Sequence, residues 1–266
     1  MLTAYIQGIG LIGPGLPDWP GAARAIAGEE AYMARPTVVP VPEGLPPAER
    51  RRIGATVKLA VSVAQQAVCA AGVDPRRLPA VFSSSGADGL ICHEICETLA
   101  SSDRQVSPTR FHNSVHNAAA GYWSLATGAT AASTSLCAYD ASFGAGLLEA
   151  LALATVDRTP VMLSAYETPY PEPLLSKRPQ PDSFAVAFVL TPAAPPNAHA
   201  RLTASLCSSA AGADRLSEPQ LETLRRAVPA ARSLPLLRLL ARRESGNVVL
   251  DYLDEQCLTV EVSECR

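Results

Sequence analysis

Four groups of residues have the types and spacings that chemistry uses. His112 and His116 stand four apart, so on a helix they would share a face and could ligate a metal. No third ligand lies near them. Their neighbours are Asn113 and Asn117, and the expectation is a helix start whose polar side chains satisfy loop backbone, with no metal bound. Cys92, His93 and Cys96 form a second group. Helical geometry turns His93 about 100° away from Cys92, and zinc sites draw cysteine pairs from knuckle turns, so buried thiols beside one surface histidine are expected. Ser83, Ser84 and Ser85 precede Gly86 after an apolar run, where a hydrolase nucleophile could sit with Asp140 and a histidine behind it. The G-x-S-x-G elbow that would present such a serine is absent. Residues 8–13 read GIGLIG and fit G-x-G-x-x-G, but Pro14, Gly15, Leu16 and Pro17 follow in place of a helix. The acidic residue due some 20 positions later is represented only by Glu29 and Glu30. No nucleotide, and no other cofactor, is expected.

The elements that must carry these groups alternate between strand and helix. Strands are predicted over 3–8, 80–83, 132–136, 160–165, 184–190 and 201–206, and a hairpin over 248–253 and 258–262. Helices are predicted over 20–27 behind an Asp18 cap, 57–71 with Gly72 as its stop, 88–99, 112–127, 141–155, 218–227 and 234–243. In the helix over 57–71, Val57, Ala60, Val61, Ala64 and Val68 fall on one face. This alternation predicts an α/β fold, a mostly parallel sheet with helices on both faces. A proline cluster at 192–196 marks a boundary between a main domain, 1–196, and a short extension, 197–266, packed on it.

Composition narrows the function classes. Hydrophobic residues make up 48% and charged residues 18%, the balance of a packed globular protein. A net charge of −3 without a Lys/Arg run argues against nucleic acid or an anionic membrane surface as partner. No apolar run approaches a membrane span, and residues 1–10 lack a basic region ahead of an apolar one. Seven cysteines at scattered spacings suit reduced, mostly buried thiols, so a cytoplasmic location is expected.

Residues 107–192 carry a resemblance. Asn117-Ala118-Ala119-Ala120-Gly121, the strand around Ser133 to Leu136, the pair Glu149-Ala150, and Val161-Met162-Leu163-Ser164-Ala165-Tyr166-Glu167 occur in the order of four ketoacyl-synthase motifs. Those are a P-N-x-A-A-G helix, a strand ending T-A-C-[AS]-S-G, a buried helix ending E-A, and a strand V-M-L-A-G-x-x-E. Residues 51–73 resemble the family's first long helix and 6–14 its opening strand and turn, so the likeness spans about 1–206. The chain resembles in particular the short, chain-length-factor-like proteins of aryl polyene and xanthomonadin-type pathways. The resemblance implies a thiolase-like fold, here the N-terminal half of a ketoacyl synthase with a truncated C-terminal portion.

The register implied by the resemblance places the family's nucleophilic cysteine at Asp140. The local string is Asp140-Ala141-Ser142-Phe143-Gly144 where the family has Cys-Ala-Ser-Gly, and Cys137 lies three residues early. At the start of a helix Asp140 would serve as an N-cap. The family's two catalytic histidines have no counterpart after His199, and its H-G-T-G-T motif is missing from 217–266. No catalytic residue is therefore expected. The resemblance implies a subunit that pairs with a full-length ketoacyl synthase, helps shape its acyl tunnel and meets acyl carrier protein, with a homodimer when alone. Its tunnel-lining candidates are His116, Asn117, Tyr139 and Phe143, and its interface candidates are Ala132, Ser133, Thr134, Ser135 and Leu136. The alternative is a stand-alone thioesterase, acyltransferase or decarboxylase using Cys137 or a serine.

Overall fold

The structure, a computed structural model, describes residues 1–208, 212–253 and 255–265. Its strands are β1 (Leu2–Ile12), β2 (Ala80–Ser83), β3 (Ser133–Leu136), β4 (Val161–Glu167), β5 (Phe184–Thr191), β6 (Ala200–Ser208), β7 (Gly246–Asp251) and β8 (Gln256–Glu264). Its helices are α1 (Trp19–Ala27), α2 (Pro47–Arg52), α3 (Ala55–Ala71), α4 (Gly89–Ala100), α5 (Pro108–Asn113), α6 (Ala118–Thr127), α7 (Ser142–Val156), α8 (Leu174–Lys177), α9 (Pro219–Ala227) and α10 (Leu234–Arg242). Local chemistry sets many of these ends. Asp18, Asp88 and Glu218 cap α1, α4 and α9 through side-chain acceptance from Gly21, Ile91 and Leu221 amides, and Gly72 ends α3 in the left-handed region.

All the strands join one sheet in the order β3-β2-β4-β5-β1-β6-β8-β7. Only β3-β2 and β2-β4 are parallel; the other five neighbouring pairs run antiparallel. The expectation of a mostly parallel sheet is corrected to a mixed one. Parallel neighbours need a crossover, and only the helical segments between β2, β3 and β4 provide it. Beyond β4 the chain returns to the sheet antiparallel to its neighbours each time, by way of α8 to β5, a loop to β6, α9 and α10 to β7, and the expected hairpin of β7 with β8. Strands β6, β8 and β7 extend the same sheet past β1, so the segment after 196 shares its core.

β5 shows how the layers form. Its alternate residues Ala185, Ala187 and Val189 face α3, while Phe184, Val186, Phe188 and Leu190 face α7 and the 3-10 turn Pro229–Ser233 that precedes α10. With both faces covered, the whole strand is buried.

A second correction concerns 112–127, which is two helices. Asn113 ends α5: its Nδ2 donates to the Arg52 carbonyl at 2.8 Å, and its Oδ1 accepts from the Tyr122 hydroxyl at 3.0 Å. A buried asparagine tied in this way fixes a turn in place of a continued helix. Among the described residues no helix is long and apolar enough to cross a membrane.

The glycines of GIGLIG are explained by helix–sheet packing. A Cβ on Gly8 would collide with the Ala67 carbonyl oxygen of α3, and one on Gly10 with that of Val63. The helix lies against bare backbone of β1, so Gly10→Ala should cost about 1–3 kcal/mol or prevent folding. Gly121→Ala, which meets nothing within 4 Å, should be tolerated; urea melts of the two variants make the comparison.

Candidate functional site

Three parallel strands end side by side: Ser83 of β2 is in register with Leu136 of β3 and Ala165 of β4. The carboxyl ends of such strands are where α/β sheets place ligands. The backbone beyond them brings together Ser84, Ser85, Cys137 and Glu167. The Cys137 thiol is exposed and donates to the Ser85 carbonyl at 3.5 Å. His116 Nε2 lies 3.3 Å from the Ser84 carbonyl oxygen. The carboxylate of Glu167 accepts from the Ser85 amide at 2.6 Å and from the Ser85 hydroxyl at 2.8 Å, and that hydroxyl also lies 3.2 Å from the Tyr170 hydroxyl. Burial pushes the Glu167 carboxyl up to about 7, opposed by the Ser85 hydrogen bonds and the Arg178 charge.

None of the serines is armed by a histidine. Ser83 donates to the Ser142 carbonyl, Ser84 accepts from the Ala87 amide, and Ser85 faces a carboxylate. The arrangement therefore contains no hydrolase triad among the described residues.

Asp140 lies in a short 3-10 turn, Tyr139–Ala141, just before α7. Its expected role as N-cap is corrected: Ala141 occupies the cap position and no side chain caps the helix. Its carboxylate lies instead between two guanidinium groups, 2.6 Å from Arg178 Nη2 and 3.0 Å from Arg232 Nη2. Ion pairing with two cations outcompetes a single amide bond for a carboxylate. The chain of charge continues. Arg232 reaches Asp251 at 3.5 Å, Asp251 meets Arg225 at 3.1 Å, and Arg225 grips Glu222 through two bonds of 2.8 and 2.9 Å. Arg178 also covers the Tyr139 ring, its guanidinium carbon 3.7 Å from the centroid. Tyr139 itself takes a φ of 51° and remains exposed. Local sequence gave little sign of these partners; the one signal is Arg232, which stands in the apolar stretch Val228 to Leu237 and so calls for an acid to answer it.

The other sequence candidates are dispersed. Asn117 precedes α6 and makes no capping bond. Phe143 does not face open space; it is packed in the core, edge-to-face on Phe188 at 6.4 Å. Ala132 and Ser133 are exposed and Thr134, Ser135 and Leu136 half-buried, on the outermost strand of the sheet. His112 sits on α5 and His116 beyond its end, so they do not share a helical face. Among the described residues no three metal-ligating side chains cluster. The expectation of mostly buried cysteines is also corrected, since Cys69, Cys92, Cys96 and Cys137 are exposed and only Cys257 is buried. Cys92 and Cys96 lie on α4, a surface helix that buries only Ile91.

Two measurements test these electrostatics. Asp140 keeps 42% of its side chain exposed, while Arg178 and Arg232 keep 15% and 18%. Asp140→Ala should cost about 2 kcal/mol or more, less than the roughly 3–5 kcal/mol of a fully buried pair. Asp140→Asn should cost about as much, because an amide cannot balance two guanidinium charges; thermal melts compare the variants. For Glu167, the folded carboxyl titrates near 7 and the unfolded one near 4.5, so between those values the folded state holds the extra proton. Its contribution is fully present below the lower value and is lost as pH rises through 7, on the order of 3 kcal/mol. Denaturant melts from pH 5 to 8 should show this decline in the wild type and a flatter profile in Glu167→Gln.

Comparisons with known proteins accord with this geometry. No curated protein matches the chain. A chain of the complex of ketosynthase ApeO with its chain length factor ApeC from Xenorhabdus doucetiae superposes with TM-score 0.74 at 24% identity, over 98% of this chain and 100% of that one. A chain of the ishigamide ketosynthase/chain length factor gives 0.75 at 12%, over the full length of both. A chain of the complex of the type II acyl-carrier protein AntF with its ketosynthase AntDE gives 0.71 at 11%, over 99% of each. At these identities the likeness establishes the fold, which is thiolase-like. The family described as beta-ketoacyl synthase, N-terminal domain, matches residues 24–248, and the chain belongs to that family.

Proposed function

We propose that the chain is a non-catalytic ketosynthase-like subunit that pairs with an active ketosynthase in the cytoplasm and helps shape its acyl tunnel, in aryl-polyene-type biosynthesis. The observation that carries this reading is Asp140. At the position where the family's register puts its nucleophile, this chain has a carboxylate held by Arg178 and Arg232. A carboxylate so neutralised serves structure and is a poor acyl acceptor.

Two surface features support the pairing. The Ala132 and Leu136 carbonyls accept from Ala80 and Ser84 of the β2 side, so by alternation the backbone groups of Ser133 and Ser135 point away from the sheet. β3 is thus an open edge of the kind that proteins cover. Beside it, α5 and α6 form an apolar groove of about 620 Å3 in which Phe111 is 67%, Val115 49% and Leu125 58% exposed. Exposed apolar surface of this kind marks an interaction site. His116, Asn117 and Tyr139 lie near this side and are the proposed tunnel-facing residues, whereas Phe143 packs across the sheet in the α7 layer. The similar structures include a ketosynthase with its chain length factor and an acyl-carrier protein with its ketosynthase, the partner types proposed here.

A second reading, a stand-alone acyl-transferring enzyme, rests on the exposed Cys137 thiol. One preparation separates the two. The chain is co-expressed with an active ketosynthase from the same organism and sized by light scattering, then incubated with acyl-carrier thioesters and weighed intact. A stable heterodimer is expected, with no acyl adduct on this chain. Ser135→Pro removes an outward amide and should abolish assembly while the monomer still melts cooperatively. A wild-type chain that stays monomeric in the mixture overturns the pairing, and a stoichiometric adduct on Cys137 favours the second reading.

A further inference from the structure

A cavity of about 400 Å3 lies away from the ends of β2, β3 and β4, between the segment joining α1 to α2 and helix α9. Its walls are mostly apolar and rigid: Pro14, Ala34, Pro36, Pro181 and Leu224, with the Tyr32 ring. The joining segment has neither helix nor strand, yet it is fastened on both sides. The Tyr32 hydroxyl donates to the Pro14 carbonyl at 2.7 Å, and Gly15, at φ 66°, lets the Met33 carbonyl come against its backbone. On the other side the Thr37 amide donates to Asp182 Oδ2 at 3.0 Å and the Thr37 hydroxyl to the Ser183 carbonyl at 2.9 Å. The cavity is therefore preformed, and its volume falls within the range of small-molecule sites.

The polar groups around it are selective. Asp182 is engaged, since Oδ2 accepts from Thr37 and Oδ1 from its neighbour Ser183. The Thr223 hydroxyl is spent on the Pro219 carbonyl within α9. The unengaged groups are the guanidinium of Arg35 and the side-chain amide of Gln220, both exposed and, among the described residues, without an ion pair or hydrogen bond. Apolar walls with a free cation and a free amide at the rim fit an apolar body ending in a carboxylate, set on Arg35, while both oxygens of the Asp182 carboxylate are already occupied by the Thr37 and Ser183 amides.

We propose that this cavity binds an amphipathic carboxylate, its apolar part against the proline walls and its carboxylate on Arg35 and Gln220. Binding needs no partner subunit, so the test is independent of the function proposed above. Sodium octanoate and 1-octanol are titrated into the full chain by calorimetry. Saturable one-site binding of octanoate is expected, with octanol weaker by about tenfold or more for want of the charged contact. Arg35→Ala should bring octanoate down to the octanol level. Ala34→Trp, at an exposed position on the lining, should block both ligands. Both sites are on the surface, and an unchanged melting temperature shows that the variants fold. Absence of saturable octanoate binding to the wild type overturns the proposal, as does equal affinity for octanol. Unchanged binding in either variant would also overturn it, by placing the ligand elsewhere.

Discussion

The double ion pair of Asp140 is the constraint around which the region before α7 is organised. Arginine is tolerated at low exposure only where its charge and its fork of donors are both answered. Here three arginines and three acids alternate from Arg178 through Asp140, Arg232, Asp251 and Arg225 to Glu222. The chain of charge links the loop after β4, the turn before α7, the turn before α10, the end of β7 and helix α9. Packing follows the same line: a Cβ on Gly144, in the first turn of α7, would stand 2.7 Å from the Asp251 carbonyl oxygen. A thiol at position 140 would leave Arg178 without its ion pair and Arg232 with only Asp251, at 3.5 Å. The aspartate and the arginines thus depend on one another.

A second carboxylate a short way off has the opposite environment. Glu167 is enclosed and held by the two donors of one serine, and the nearby Asp140 raises its carboxyl further while Arg178 lowers it. Tyr170 closes the same spot. The backbone at Gly86 and Gly89 lies so close to its ring that a side chain at either position would strike it. The carboxyl ends of the parallel strands are accordingly filled from within, by Glu167 and Tyr170 on one side and by the Asp140 ion pairs on the other. The open surface lies outward, along β3 and the groove of α5 and α6.

Local structure was legible where local chemistry fixes it. The 80–83 strand, the helix beginning after Asp88 and the stop at Gly72 all follow from neighbours in sequence. The resemblance supplied the family and the register that singled out position 140. Relations between distant segments were not legible. Strand–helix alternation does not say which strands lie side by side, so the sheet was expected to be more parallel than it is. The break at Asn113 depends on the carbonyl of Arg52, 61 residues away, and the partners of Asp140 lie 38 and 92 residues away. A capping aspartate and a salt-bridged one are the same letter until those partners are in place. The packing role of Gly8 and Gly10 in the glycine motif was not legible either, because it needed α3 to be laid across β1.

The position of β1 within the sheet bears on how the protein is made. β1 leaves the ribosome long before the strands it joins, pairing on one side with β5, Tyr5 opposite Thr191, and on the other with β6, Leu2 opposite Ala204. At translation rates of about 5–20 residues per second, β1 waits roughly 10–40 s before both neighbours exist. Through that interval its apolar residues Ala4, Ile6, Ile9 and Leu11 have α1, and later α7, to lie against, while α3 covers the face of Gly8 and Gly10. The bare glycine backbone that admits α3 so closely thus lets both faces of β1 be covered before its partner strands arrive. Completion of the sheet is deferred to the last third of the chain, where long-range β pairing makes folding slow.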